Sequence, residues 1–189
     1  DRFTIRNLEL YHSTNVNAVT LLDVIDKTLS PMGSRLLKRW LALPLKDATR
    51  IRSRHEVVSY LKENKEDLQK IQYQIKQISD LERLISKVAT GKVSPRELNY
   101  LNDSLNAIIP IKELALKSKN EALKVIGDNL HACELLREKI AATINKDAPV
   151  HVNKGNAIAT GVNEELDDLR AISSKGKGFL KDQLVRRFE

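Results

Sequence analysis

Histidines, a cysteine and clustered carboxylates are the residues here whose types could do chemistry. His12, His55, His131 and His151 are never four apart, the spacing that brings two imidazoles onto one helix face for zinc, and His131 and Cys133, two apart, diverge on a helix. No metal site is expected. Glu164, Glu165, Asp167 and Asp168 could exchange protons with a substrate. They also follow Asn163 at a predicted helix start, where the helix dipole alone favours carboxylates. No serine or cysteine stands in the setting of an activated nucleophile. The stretch KGKG at residues 175–178 comes nearest to a phosphate-cradling loop, but it lacks the glycine-to-Lys-Ser/Thr spacing and the preceding strand. It reads as a flexible, basic piece of helix, so no catalytic residue and no bound cofactor is expected.

What remains is charge. The formal net charge is +7 over 189 residues, and it is unevenly placed. Residues 35–54 hold seven cations (Arg35, Lys38, Arg39, Lys46, Arg50, Arg52 and Arg54) against Asp47 alone. Residues 170–187 hold six (Arg170, Lys175, Lys177, Lys181, Arg186 and Arg187) against Asp182 alone. Clusters of this kind attract phosphate backbones, and each is also what a solvated helix face looks like. The first cluster contains SPMGSRLLKRWLALP at residues 30–44. Ser30 is a natural N-cap, Pro31 suits the first helical position and Pro44 is a stop. Arg35, Lys38 and Arg39 fall on one side of the helix, and Leu36, Leu37, Trp40 and Leu41 on the other. Gly33 or Ser34 would allow a phosphate to approach the helix start. A DNA-reading helix would carry short polar readers among its arginines. Here the face opposite the cations is apolar, so the expectation is a docked structural helix with Trp40 buried.

The elements that must position these residues are predicted to be mostly helical. The sequence is 41% apolar and 30% charged but only 4% aromatic, so its core must be built from Leu, Ile, Val and Ala, a composition suited to packed helices. Residues 1–12 alternate like a strand or extended lead-in. Helices are expected near 18–25, from the Asp47 cap to about 64 (with Ile51, Val57, Val58 and Leu61 inward), over 65–78 and over 80–89, with Gly91 as a stop. SPRE at residues 94–97 is a capping box ahead of Leu98, Leu101, Leu105, Ile108 and Ile109, and Pro110 should kink or divide that helix. Further helices are expected near 121–126 and 129–144. APVHVNKGNAIA, residues 148–159, has Val150, Val152 and Ile158 around a Lys154-Gly155 turn, the pattern of one small β-hairpin. A last helix runs from Asn163 to the end. With no Pro/Gly/Ser linker, residues 13–189 read as one multi-helix, mainly α domain with one small hairpin. Cys133 has no disulfide partner and no run of 18 apolar residues occurs, which fits a cytoplasmic protein away from membranes. The sequence starts without methionine and ends on LVRRFE inside a helical pattern, as a piece of a longer protein would.

RNLEL (residues 6–10), TLLDVIDKTLSPMGSRLLKRWLALPLKD (20–47), ISDLERLISKVATGKVSPREL (78–98) and GVNEELDDLR (161–170) resemble, in order, the core or lever domain of the MutS family of DNA mismatch-repair ATPases, over nearly the whole chain. The resemblance implies that residues 1–12 end a connector and that residues 13–189 form the N-terminal arm of the lever, with the helix 163–189 leading towards a clamp domain. Leu36, Leu37, Trp40 and Leu41 would then be structural helix packing. Lys175, Lys177, Lys181, Arg186 and Arg187 would lie on the approach to DNA-backbone contacts and make weak ones at most. ATP and magnesium would belong to an ATPase elsewhere in a DNA-dependent, homodimeric parent, and double-stranded DNA and the other domains of the same chain would be the partners. The family's mismatch-reading Phe-x-Glu and Walker motifs do not occur in this sequence, and Gly176 and Gly178 depart from the family pattern, each weakening the last helix by roughly 1 kcal/mol. The reading this favours is a non-catalytic module linking DNA binding to ATP hydrolysis. The alternative is a free-standing basic helical nucleic-acid-binding protein.

Overall fold

Helices begin where short polar side chains can accept the free N–H groups of a first turn, and the caps of this chain set its elements. In the computed structural model, which describes the backbone of residues 2–13, 15 and 17–188 and the side chains of residues 3–176 within that span, α1 (Arg2–Asn7) is followed by α2 (Leu21–Ile25), where Thr20 and Asp23 satisfy each other's backbone N–H groups. Ser30 Oγ accepts from the Gly33 N–H ahead of α3 (Pro31–Ala42), with Pro31 in its first turn. Asp47 accepts from Thr49 and Arg50 at the start of α4 (Ala48–Glu63). After Asn64 comes α5 (Lys65–Gln77), and Asp80 caps α6 (Leu81–Ala89). Gly91 ends α6 at φ 64°, in the left-handed region, while the Gly91 and Lys92 N–H groups return to the Val88 and Lys87 carbonyls. The Ser94–Glu97 box forms as the sequence indicates, with hydrogen bonds of 2.9 and 3.3 Å, and opens α7 (Pro95–Lys117). Asn120 caps α8 (Glu121–Asp128), α9 covers Glu134–Thr143, and Asn163 caps α10 (Glu164–Phe188).

The mainly α class stands, with three local corrections. Residues 2–7 are helical rather than extended. The expected hairpin is not there: among the described residues no strand occurs, and Ile144 and Ile158 share one isolated bridge. In place of a hairpin turn, Val152–Lys154 form a single 3₁₀ turn closed by Gly155 at φ 73°. Val150 and Val152 are both exposed, so neither supplies an apolar face for a strand to seal; Ala148 and Ala157 are the buried residues of this stretch. Third, Pro110 does not divide α7. A mid-helix proline costs about 3 kcal/mol, and the helix is anchored on both sides of it by Leu105, Ala107, Ile108 and Ala115, all buried.

The chain groups into two compact units where the sequence reads as one domain. The first comprises Asp1–Val93 and Tyr100–Arg137, the second Ser94–Asn99 and Glu138–Glu189. In the first, α4 packs on α5 and α8, and Leu10, Ile71, Leu84, Leu101, Leu105, Ala107, Ile108, Ala115 and Leu123 are the buried apolar residues among those described. Gly127 on α8 lies so close to α7 that an added Cβ would stand 2.9 Å from the Ala115 Cβ. Ser104, fully buried, takes the Ser79 N–H on its Oγ at 2.9 Å and donates to the Tyr100 carbonyl at 2.6 Å. In the second unit, Arg96 donates to the Ala148 carbonyl and Asn99 to the Asn145 and Lys146 carbonyls, fastening the irregular stretch to the first turns of α7. Arg170 on α10 donates to the Ile158 carbonyl and pairs with Asp167.

Candidate functional site

The best-organised polar surface surrounds α3. Asp26 accepts hydrogen bonds from the Ser34 hydroxyl and from Thr28, which ties the preceding loop to the first turn of the helix. Those bonds, Ser34's first, hold the Asp26 carboxyl below its ordinary range. Tyr11 donates from its hydroxyl to the Lys38 carbonyl at 2.5 Å, and the Lys38 ammonium lies 5.0 Å from the Tyr11 ring centre. Arg35 makes a fork on Asp80, at 2.9 and 2.7 Å, and donates through Nε to Glu82 at 2.7 Å. Bidentate guanidinium–carboxylate geometry is the strong form of an ion pair. Asp80 therefore does two jobs, capping α6 and clamping α3 to it, and the Arg35 guanidinium holds its carboxyl well below the usual carboxylate range.

The four residues expected to pack α3 are split by the structure. Leu37 and Leu41 are half-buried, whereas Leu36 and Trp40 are exposed, and α3 contains no fully buried residue. The expected burial of Trp40 is thus corrected: its indole keeps 41% of its surface, with the Arg54 guanidinium of α4 stacked 3.6 Å from the ring centre. The physical reason lies in the helical angle. Leu36 and Trp40 are four apart, on a line roughly 100° round from Leu37 and Leu41; the latter line is the more covered of the two, while on the former Trp40 meets Arg54 of α4.

The other candidates fall in scattered places. His12, His55, His131 and His151 are all exposed, and among the described residues no group of three or more His, Cys, Asp or Glu has the arrangement to hold a metal. Asp167 is engaged by the Gly161 N–H and by Arg170, so it serves the start of α10. The KGKG stretch is helical, inside α10. Lys175 is exposed on that helix; the side chains of Lys177, Lys181, Arg186 and Arg187 lie outside the described residues. No described helix is long and apolar enough to cross a membrane. Sequence reasoning missed the Arg35–Asp80–Glu82 clamp and the Arg54–Trp40 stack. Their partners are 45, 47 and 14 positions apart, and no local pattern signals such pairs. The Thr20-x-x-Asp23 box was there to be found.

Comparison with known proteins is consistent along the chain. The sequence profile of MutS domain III matches residues 3–187. The DNA mismatch repair protein MutS of Flavobacterium johnsoniae is 77% identical over 181 residues, covering 96% of this chain and 21% of that protein. The MutS of Christiangramia forsetii is 67% identical over 187 residues, 99% of this chain and 21% of that protein. The MutS of Cytophaga hutchinsonii is 43% identical over 189 residues, 100% of this chain and 22% of that protein. The chain spans about a fifth of the length of these relatives. A match this long, at identities this high, means that the chain belongs to the MutS domain III family.

Proposed function

We propose that the chain is a non-catalytic core or lever module of a DNA mismatch-repair protein. Its work is to carry displacement between a part that holds double-stranded DNA and a part that hydrolyses ATP with magnesium, in a cytoplasmic, homodimeric parent. The observation that supports this most is the extent of the family match, residues 3–187. The geometry adds a mechanical argument. Transmission requires elements that move as bodies between two states, and the Arg35 clamp on Asp80 and Glu82 fixes α3 to α6. The 25-residue α10, at 1.5 Å per residue, provides a strut about 38 Å long. Its cations, Lys175, Lys177, Lys181, Arg186 and Arg187, point the proposal towards weak contact with the DNA backbone.

A free-standing nucleic-acid binder fits less well. Arg35, Lys38 and Arg54, three of the seven cations in the first cluster, are engaged inside the molecule by carboxylates and rings. The test is fluorescence anisotropy of the isolated chain with matched and mismatched duplexes across a salt series, beside an ATP-turnover assay. Binding should be undetectable or weak, equal for both duplexes and steeply salt-sensitive, because phosphate contacts carry no base identity. Turnover should not exceed a blank. Mismatch preference that survives high salt, or turnover that follows the protein through purification, would overturn the proposal.

A further inference from the structure

The two helices that meet at the Arg35 clamp are anchored in opposite ways. Leu84 is buried and seats α6 in the apolar interior of its unit. In α3 no residue is fully buried, and Leu37 and Leu41 are only half covered. Its first turns are tied by side-chain bonds: Ser34 to Asp26 of the preceding loop, and Arg35 to Asp80 and Glu82 at the start of α6. Every group in these ties keeps a partner when the clamp opens. Asp80 still caps α6 through the Arg83 N–H at 3.3 Å. The Glu82 side chain is 66% exposed and lies in the first turn of α6, where the helix dipole favours a carboxylate. The Arg35 side chain is 48% exposed, so water can take its N–H groups. Asp26 keeps the Thr28 N–H and hydroxyl, and the Ser34 hydroxyl can turn to a carbonyl one helical turn earlier. Opening strands no buried charge, the penalty that holds a buried ion pair shut.

We infer that the Arg35 clamp is a latch. Closed, it fixes the start of α3 to α6; in the second state of the module it opens, and α3 moves away while α6 stays seated. The inference rests on the proposed transmission between DNA and ATP sites and names the element that switches. Transmission needs an element with two discrete arrangements of similar free energy, and the clamp combines what that requires. The fork on Asp80 gives the closed arrangement one defined geometry. Its exposure to water keeps the gap to the open arrangement small. Drawing a residue such as Leu84 out of the interior would expose its whole apolar surface, whereas opening the clamp exposes charged groups that are already half in water. The far end of α3 supplies a pivot. There Arg54 stacks 3.6 Å from the Trp40 ring centre, and attraction between a cation and a ring face tolerates a change of angle that a bidentate fork does not.

The test reads the distance between α3 and α6 in the longer protein. Spin labels at Arg39→Cys and Ser86→Cys, both exposed positions, in an otherwise cysteine-free form leave Arg35, Asp80 and Glu82 in place. Pulsed dipolar spectroscopy would be run on the protein alone, with a mismatched duplex, with a non-hydrolysable ATP analogue and with both. Two distances are expected, with a population ratio that changes at least about threefold between conditions. Arg35→Gln should deplete the shorter distance in every condition, by roughly tenfold in that ratio, and shrink the DNA-dependent change in ATP turnover with it. Glu82→Gln, which keeps the fork on Asp80 and the α6 cap, should deplete the shorter distance less, and it preserves the readout if circular dichroism shows that Arg35→Gln does not fold. A single distance in every condition, populations that neither duplex nor analogue shifts, or populations that neither variant moves would each overturn the latch. Any of these, combined with absent mismatch preference and absent turnover in the isolated chain, would remove the latch and leave the proposed function standing.

Discussion

Helices α7 and α3 carry similar apolar spacing in the sequence, yet they end in opposite environments. Along α7, Leu101, Ser104, Leu105, Ala107, Ile108 and Ala115 are buried, and the helix continues past Pro110 without a break. Along α3 no residue is fully buried; the helix is fixed by polar contacts, namely Arg35 to Asp80 and Glu82, Ser34 to Asp26, and Tyr11 to the Lys38 carbonyl. The first helix owes its position to packing, which is non-directional and strong in sum. The second owes its position mainly to a few directional bonds and retains a half-exposed apolar line, on which Arg54 covers Trp40 in part. A periodic apolar pattern therefore announces a face to be covered, while what covers it depends on residues far away in the chain or outside it.

Four substitutions or conditions would break or sharpen this contrast. Leu105→Ala removes a buried α7 side chain and should cost about 2–5 kcal/mol in chemical unfolding; a cost below that of any α3 change would invert the comparison. Gly127→Ala should come next. The helical preference for alanine favours it, but the new methyl would meet the Ala115 Cβ at 2.9 Å, and since that atom sits on the α7 backbone the overpacking should dominate by about 1–3 kcal/mol. A stabilised variant would show that the two helices can part without loss.

Trp40→Ala should cost only about 1–2 kcal/mol, less than a buried tryptophan, because much of the ring is already in water. A loss as large as that of Leu105→Ala would mean that α3 is packed after all. The smallest effect concerns acid. Asp80, held low chiefly by Arg35, and Asp26, held low chiefly by Ser34, have folded values below the unfolded value of about 3.9. The stability they contribute is complete above that value and disappears as pH falls through the folded ones. Melting temperature followed from neutral pH down to about pH 3 should drop less steeply in Arg35→Gln than in the parent chain. Coincident curves would show that the exposed clamp is screened and contributes nothing.

Much of this fold is legible residue by residue. Ser30, Asp47, Asp80, Ser94 and Asn163 each start a helix where the sequence puts one, because an N-cap is a local bond between neighbours. The failures share a cause. Val150, Val152 and Ile158 alternate like a hairpin, but a strand needs a partner and a buried face; Arg96 and Asn99, some fifty positions earlier, hold that stretch instead. Residues 2–7 have too few periods for alternation to tell helix from strand. At the candidate site the cationic cluster was visible, whereas the division of Leu36 and Trp40 from Leu37 and Leu41 was not, since it depends on which neighbours reach α3.

The proposal that the chain transmits rather than reacts is tested most directly in the longer protein by breaking the strut. Ala171→Pro interrupts α10, removing a helical hydrogen bond and clashing with the preceding turn, with Ala171→Ser as the control. Duplex affinity, ATP turnover without DNA and the change in turnover on adding mismatched DNA would be measured together. The expected result is near-parental affinity and basal turnover, with the DNA-dependent change lost in Ala171→Pro and kept in Ala171→Ser. A DNA-dependent change of parental size in Ala171→Pro, with the interruption of α10 verified, would contradict it.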